Sequence, residues 1–93
     1  MVEKNGLGGM EELGVILHDV ASEVVRTTEL HGNFRSAHEM YGVLIEEVDE
    51  LWEIVKQKRK NRDRAAMRAE LVQIAAMAIK GIEAIDEFVG GDR

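Results

Sequence analysis

Between Glu46 and Glu53 the chain sets five carboxylates into eight positions: Glu46, Glu47, Asp49, Glu50 and Glu53. They interrupt a pattern that is otherwise apolar and helical. At about 100° per residue, Met40, Leu44, Val48, Leu51 and Val55 form one apolar stripe, widened by Tyr41 and Trp52 on one side and by Val43 and Ile54 on the other. Glu46, Asp49 and Glu53 point away from that stripe, as a solvated face should. Glu47 instead falls between Met40 and Ile54, and Glu50 falls beside Val43. A carboxylate that leaves water must be paired, protonated or bound to a metal, because an isolated buried charge costs several kcal/mol or more. Residues three apart on a helix are neighbours, so Glu47 and Glu50 can offer two oxygens to one cation. Hard Mg²⁺ takes such a set, with waters and substrate phosphates completing its octahedron. The competing reading is that an acid-rich helical face is only solvated surface.

The elements that would position these acids follow from composition and periodicity. Ninety-three residues fit one domain with a modest core, and 45% hydrophobic content with 4% aromatics makes that core one of Leu, Ile, Val, Ala and Met. Three thin helices of this kind leave so little core for one chain that oligomerisation is expected. There is no proline, and the apolar positions recur at three and four, which predicts an all-α fold, a three-helix protomer of an antiparallel helical bundle. A net charge of −6 disfavours nucleic acid as a partner. The absence of cysteine excludes disulfides and thiolate metal sites. No apolar run is long enough to span a bilayer, and the start lacks a signal-peptide core, so no membrane partner and a cytoplasmic location are expected.

Taken in order, residues 1–9 hold three of the nine glycines and little periodicity, which predicts a flexible N-terminal arm. A single helical domain is expected over 10–89. Its first helix, about 10–30, would bury Leu13, Leu17, Val20, Ala21, Val24 and Thr28, with Glu23 and Arg26 largely elsewhere, and would close at Gly32. Ser36 and Glu39 have the spacing of a capping box that opens the second helix, about 37–59. His38 lies in its first turn, where a neutral imidazole can face a bound nucleotide or simply face solvent. Six of the twelve basic residues crowd into Lys56 to Arg64, complementing the end of the second helix before Asn61 or Asp63 caps the third. That third helix, about 65–88, would bury Met67, Leu71, Ile74, Ala75, Ala78, Ile82, Ile85 and Val89. Glu70 borders its apolar arc, with Gln73 one turn on and Lys80 about 10 Å further along the axis. Residues 90–93 are expected to be a frayed tail.

Ser36-Ala37-His38-Glu39, then Glu46-Glu47-Val48-Asp49-Glu50, then Glu70-Leu71-Val72-Gln73 on a following helix together resemble the MazG-like branch of the all-α nucleoside triphosphate pyrophosphohydrolases, over about two-thirds of the chain. That family carries E-E-x-x-E on one helix and E-x-x-D on the next. The resemblance implies Mg²⁺, with Mn²⁺ as a possible substitute, held by Glu47, Glu50 and Glu70. Gln73 stands where the family has aspartate and is a weak, uncharged fourth ligand. It implies hydrolysis of a nucleoside triphosphate, or its deoxy form, to the monophosphate and pyrophosphate, with Glu46 or Glu50 accepting the proton of the attacking water. Arg35 and Lys80 are candidates for contacting phosphate, with a surface salt bridge as the competing and more ordinary role of each. The resemblance also implies a homodimer or homotetramer. The departure at Gln73 supports an alternative, a catalytically impaired relative acting as a nucleotide-sensing or protein-interaction module. A di-iron bundle would need Glu-x-x-His pairs, and none follows Glu47, Glu50 or Glu70.

Overall fold

A computed structural model describes residues 6–89. These residues form three long helices and no strand: α1 (Gly6–His31), α2 (Ala37–Val55) and α3 (Arg64–Glu83), followed by a single turn, α4 (Ile85–Phe88). Residues 1–5 and 90–93, part of the expected arm and all of the expected tail, lie outside the described residues. Residues 6–9, expected in the arm, are helical instead. No helix among the described residues is long and apolar enough to cross a membrane.

Local chemistry sets the ends. Gly32 takes φ +73° and returns its N–H to the Thr28 carbonyl at 2.7 Å, closing α1 through the left-handed conformation that glycine adopts without a Cβ penalty. Ser36 caps α2 by accepting the Glu39 N–H at 3.0 Å, while Glu39 reaches one residue further back than a capping box requires and accepts from the Arg35 N–H at 2.7 Å. Asp63 caps α3 through the Ala66 N–H at 3.0 Å. The second helix stops at Val55, not at 59. Continuing it would stack Lys56 on Lys60, a like-charge pair one turn apart; the chain instead makes a 3₁₀ turn at Arg59–Asn61, and Arg62 Nε donates to the freed Val55 carbonyl at 2.9 Å. The third helix breaks at Ala84, which swings Phe88 back against the core.

The α3 helix lies between the other two. Asp19 meets Arg68, Glu23 meets Gln73 and Thr27 meets Lys80, so α1 and α3 run in the same direction. Met40 meets Gly81 and Glu47 meets Glu70, so α2 runs against them. Val20, Val24, Phe34, Ala76 and Met77 form the core, with Met40, Val43, Leu44, Val72, Ala75 and Phe88 packed around it.

Two burial expectations are corrected by this arrangement. Leu13 and Leu17 are 48% and 56% exposed; with Asp19 level with Arg68, the start of α3 lies opposite about residue 15, so the earlier turns of α1, Leu13 among them, project past it. The third helix is also rotated from the expected orientation. It buries Ala76, Met77, Lys80, Gly81 and Ala84 and leaves Leu71, Ile82, Ile85 and Val89 exposed, because a helix flanked on two sides turns its small residues to its neighbours.

A Cβ at Gly81 would stand 3.2 Å from Met40 Cγ. Gly81→Val is therefore expected to push α2 off α3 and destabilise the protein by about 1–3 kcal/mol in urea unfolding. Adding Met40→Ala should recover part of that loss, a non-additivity that two distant sites would not give.

Candidate metal centre in the inter-helix cleft

Because α1 and α2 both lean on α3 and scarcely touch each other, a cleft of about 530 Å³ opens between them. Its floor is α3, through Glu70, Gln73, Met77 and Lys80. One wall is α2, through Glu39, Val43, Glu47 and Glu50; the other is the end of α1 and the loop after it, through Arg26, Thr27 and Phe34.

At one end three carboxylates converge. Glu47, Glu50 and Glu70 each bring an oxygen to within 4.8 Å of the others, Glu47 and Glu70 half-buried and Glu50 exposed. Among the described residues the ion pairs Arg26–Glu23, Lys56–Glu53 and Arg68–Asp19 leave the trio without a basic partner from the chain. Glu70 Oε1 is buried and receives no hydrogen bond. The contacts inside the trio are carboxylate against carboxylate, so they become hydrogen bonds only when one carboxyl keeps its proton. All three titrate above the ordinary value of 4.5: Glu47 through burial and then the charges of Glu50, Glu46 and Glu23; Glu50 because its proton is shared with Glu70; Glu70 through burial and the proximity of Glu47. Oxygen-only donors, an orphaned buried oxygen and no counter-charge suit a hard divalent cation such as Mg²⁺ or Mn²⁺.

The neighbouring group is differently balanced. Arg26 donates to both oxygens of Glu23, at 3.0 Å from Nε and 2.5 Å from Nη2. Gln73 Nε2 donates to the same carboxylate. These bonds, Arg26 first, hold Glu23 below the usual carboxylate range. Gln73 is thus in the cleft floor, but its NH₂ group is tied to Glu23 of α1, and its carbonyl oxygen is its remaining acceptor.

The other end is cationic. Lys80 is 3% exposed, donates to Thr27 Oγ1 at 3.2 Å and sits 5.5 Å from the centre of the Phe34 ring. Burial lowers its pKa, while Glu83, Glu23 and Glu39 pull it back up.

Of the residues singled out in the sequence, Glu47, Glu50, Glu70, Gln73 and Lys80 meet in this cleft. Lys80 lies ten residues along α3 from Glu70, about 15 Å by helix rise, so it serves the opposite end. Glu46 is exposed and outside the wall, and acts on Glu47 only through its charge. Arg35 is exposed and outside the cleft. His38 is exposed beside Ala37 and Tyr41, in a separate depression. Missing from the sequence reading are Glu23, Arg26 and Thr27, which had been assigned to no site. The available signal is that Glu23 and Thr27 share a helix face with Val20, which places two polar side chains on the side that an apolar residue marks as inward.

Comparison with protein-family models, with curated proteins and with solved structures finds no match to this chain.

A raised carboxyl pKa makes the charged state costly to the fold. The stability contributed by Glu47, Glu50 and Glu70 is full below the ordinary value of 4.5 and is lost as pH rises through their raised folded values. Glu23, held low, loses its contribution only on the acid side of that window. With chelator present, the melting temperature should therefore fall as pH rises from about 5 to neutrality, and Glu47→Gln should flatten that slope. Parallel thermal melts of the two proteins across pH provide the check; equal slopes would mean that Glu47 carries no electrostatic strain.

Proposed function

We propose that this protein is an Mg²⁺-dependent nucleoside triphosphate pyrophosphohydrolase whose phosphate-binding end is the Glu47, Glu50 and Glu70 cluster. The observation that carries the reading is the convergence of these three uncompensated carboxylates, one with a buried and unbonded oxygen, at one end of a cleft large enough for a nucleotide. The likeness of Glu46-Glu47-Val48-Asp49-Glu50 and Glu70-Leu71-Val72-Gln73 to the MazG-like motifs supports the same residues independently. Mg²⁺, or Mn²⁺ in its place, bound there would neutralise phosphate charge and orient the chain of phosphates for in-line attack by water.

The chain's own groups divide the remaining work. Glu50, the exposed member of the trio, is the proton acceptor: as water adds at phosphorus and the bond between the α- and β-phosphates breaks, the water's proton passes to its carboxylate. Glu46 loses that role, since it faces solvent outside the cleft. The nucleoside would lie toward Phe34 and Lys80, the end farthest from the trio, which takes Lys80 away from the phosphates. Glu23 and Arg26 would hold the wall of the cleft. Arg35 and His38, exposed elsewhere, have no part in it. An oligomer, homodimer or homotetramer, belongs to this reading, as does a cytoplasmic location where free nucleotides are found.

The engagement of Gln73 by Glu23 favours a second reading: a nucleotide-sensing or protein-interaction module that binds without hydrolysing. A panel of nucleoside and deoxynucleoside triphosphates, assayed for pyrophosphate release with Mg²⁺ and Mn²⁺, separates the two. Release that is abolished by chelator and reduced by Glu47→Gln about 100-fold or more is expected, because removing a metal's outer partners alone costs about 10–100-fold. Calorimetric binding of a nucleotide with no release would select the sensing module, and neither binding nor release would remove both readings.

A further inference from the structure

We propose that the Lys80 end of the cleft reads the base of the bound nucleotide. It selects a base that presents a carbonyl oxygen at its far edge (uracil, thymine, guanine or hypoxanthine) over one that presents an amino group there (cytosine or adenine). This selection rests on the nucleotide reading above but not on hydrolysis.

The floor of the cleft is a single stripe on α3. Glu70, Gln73, Met77 and Lys80 follow one another at spacings of three, four and three residues, so they share one helix face from the carboxylate end to the cationic end. A nucleotide whose phosphates lie at the carboxylates extends its base along this stripe toward Lys80. Met77 and Phe34 are buried and Val43 is half-buried, and all three line the cleft, where they offer a flat ring apolar surface to cover.

At its edge that ring meets a donor. An ammonium carries three N–H groups and no acceptor. Thr27 Oγ1 takes one of them at 3.2 Å and can only accept there, because its own O–H is given to the Glu23 carbonyl at 2.9 Å. Among the described residues no carboxylate forms an ion pair with Lys80 and no second oxygen accepts from it. Two N–H groups of a side chain only 3% exposed are thus left without a protein acceptor. A buried donor in that state costs about 1–3 kcal/mol. A ligand oxygen answers it, whereas an amino group in the same place sets N–H against N–H. Asn33, also in the lining, spends its Oδ1 on the Phe34 N–H at 2.6 Å, which leaves its NH₂ donors unused among the described residues.

A base carbonyl suits this end better than a phosphate does. The charge of Lys80 is already answered at longer range by Glu83, Glu23 and Glu39, so a neutral oxygen gains the hydrogen bond while a phosphate would also meet three acids. Glu39 is the acceptor on the α2 wall, but it is exposed and already accepts the Arg35 N–H at 2.7 Å. An amino group turned to Glu39 gains little over water; the buried donor therefore decides the preference.

Calorimetry with Mg²⁺ and triphosphates whose α- and β-phosphates are joined by a non-hydrolysable imido bridge tests this in two pairs matched in ring size, uridine against cytidine and inosine against adenosine. The unmodified protein should bind the carbonyl member of each pair about 10-fold more tightly or better. Lys80→Met, which keeps the length of the side chain and removes its donors, should bring both ratios close to one. Equal binding within either pair by the unmodified protein, or preference for the amino member, overturns the proposal. So does a Lys80→Met protein that keeps the parent's ratios, whether or not it binds all four more weakly, because Lys80 then serves the fold or a part that every nucleotide shares. Should Lys80→Met fail to fold, the ratios of the unmodified protein decide. Ratios of 10-fold without any release of pyrophosphate from natural triphosphates would leave base selection standing and remove hydrolysis, and binding of none of the four would remove both.

Discussion

Three carboxylates held within 4.8 Å of one another, with no base among the described residues to answer them, place a constraint that the rest of this molecule must satisfy. Their mutual repulsion opposes the approach of α2 to α3, so the contact between those helices has to be secured elsewhere. It is secured a few turns away. Gly81 lets Met40 lie directly against the α3 backbone, Val43 and Leu44 reach the Ala76 and Met77 core, and Phe88 folds back from α4 to seal the same end. The apolar end of the α2–α3 pair thus holds the acidic end together. A divalent cation would turn that repulsion into attraction, and the fold would gain stability with every increment of metal affinity.

The first helix answers a different need. Lys80 is a cation in the floor of the cleft, and burying it without partners would cost several kcal/mol. Thr27 supplies an acceptor and Phe34 a ring face, while Glu23, Glu39 and Glu83 offset the burial at longer range. Those contacts fix where the end of α1 sits. The Arg26–Glu23–Gln73 chain of hydrogen bonds fixes it a second time, one turn earlier. The α1 side of the cleft is therefore held at two levels, by Thr27 with Lys80 and by Glu23 with Gln73, whereas Glu47 and Glu50 on α2 meet the Glu70 carboxylate.

What could be read from the sequence divides along the same line between local and non-local causes. Ser36, Gly32 and Asp63 mark helix ends because capping is a matter of a few adjacent residues, and the structure has all three in place. Glu47 and Glu50 stand out because they violate the pattern of their own helix. Glu70 needed its motif partner as well as its border position. Glu23 escaped notice because only the parallel packing of α1 on α3 brings it to Gln73, fifty residues away, and no periodicity within α1 encodes that. Leu13, Leu17, Leu71 and Ile82 were expected inside for the complementary reason. A helical wheel states which residues share a face, not whether anything lies opposite that face, and among the described residues no helix lies opposite the overhang of α1 or the outer side of α3.

Charge at the cleft follows from these placements. The family pattern that this sequence resembles would set a fourth acid at position 73. Here the residue is glutamine, and the acid nearest to it, Glu23, is already bonded by Arg26 and held in its ionised form. Arg26 therefore offsets most of the charge of Glu23, and the negative charge inside the site is that of Glu47, Glu50 and Glu70, with Glu46 and Glu23 adding to the field at Glu47. A site with three charged ligands, one of them exposed, leaves more of a cation's coordination to water and to the phosphates of a ligand than a site with four. Metal and nucleotide would then bind more tightly together than either does alone. The same three carboxylates that strain the empty fold would be relieved fully only when both are present.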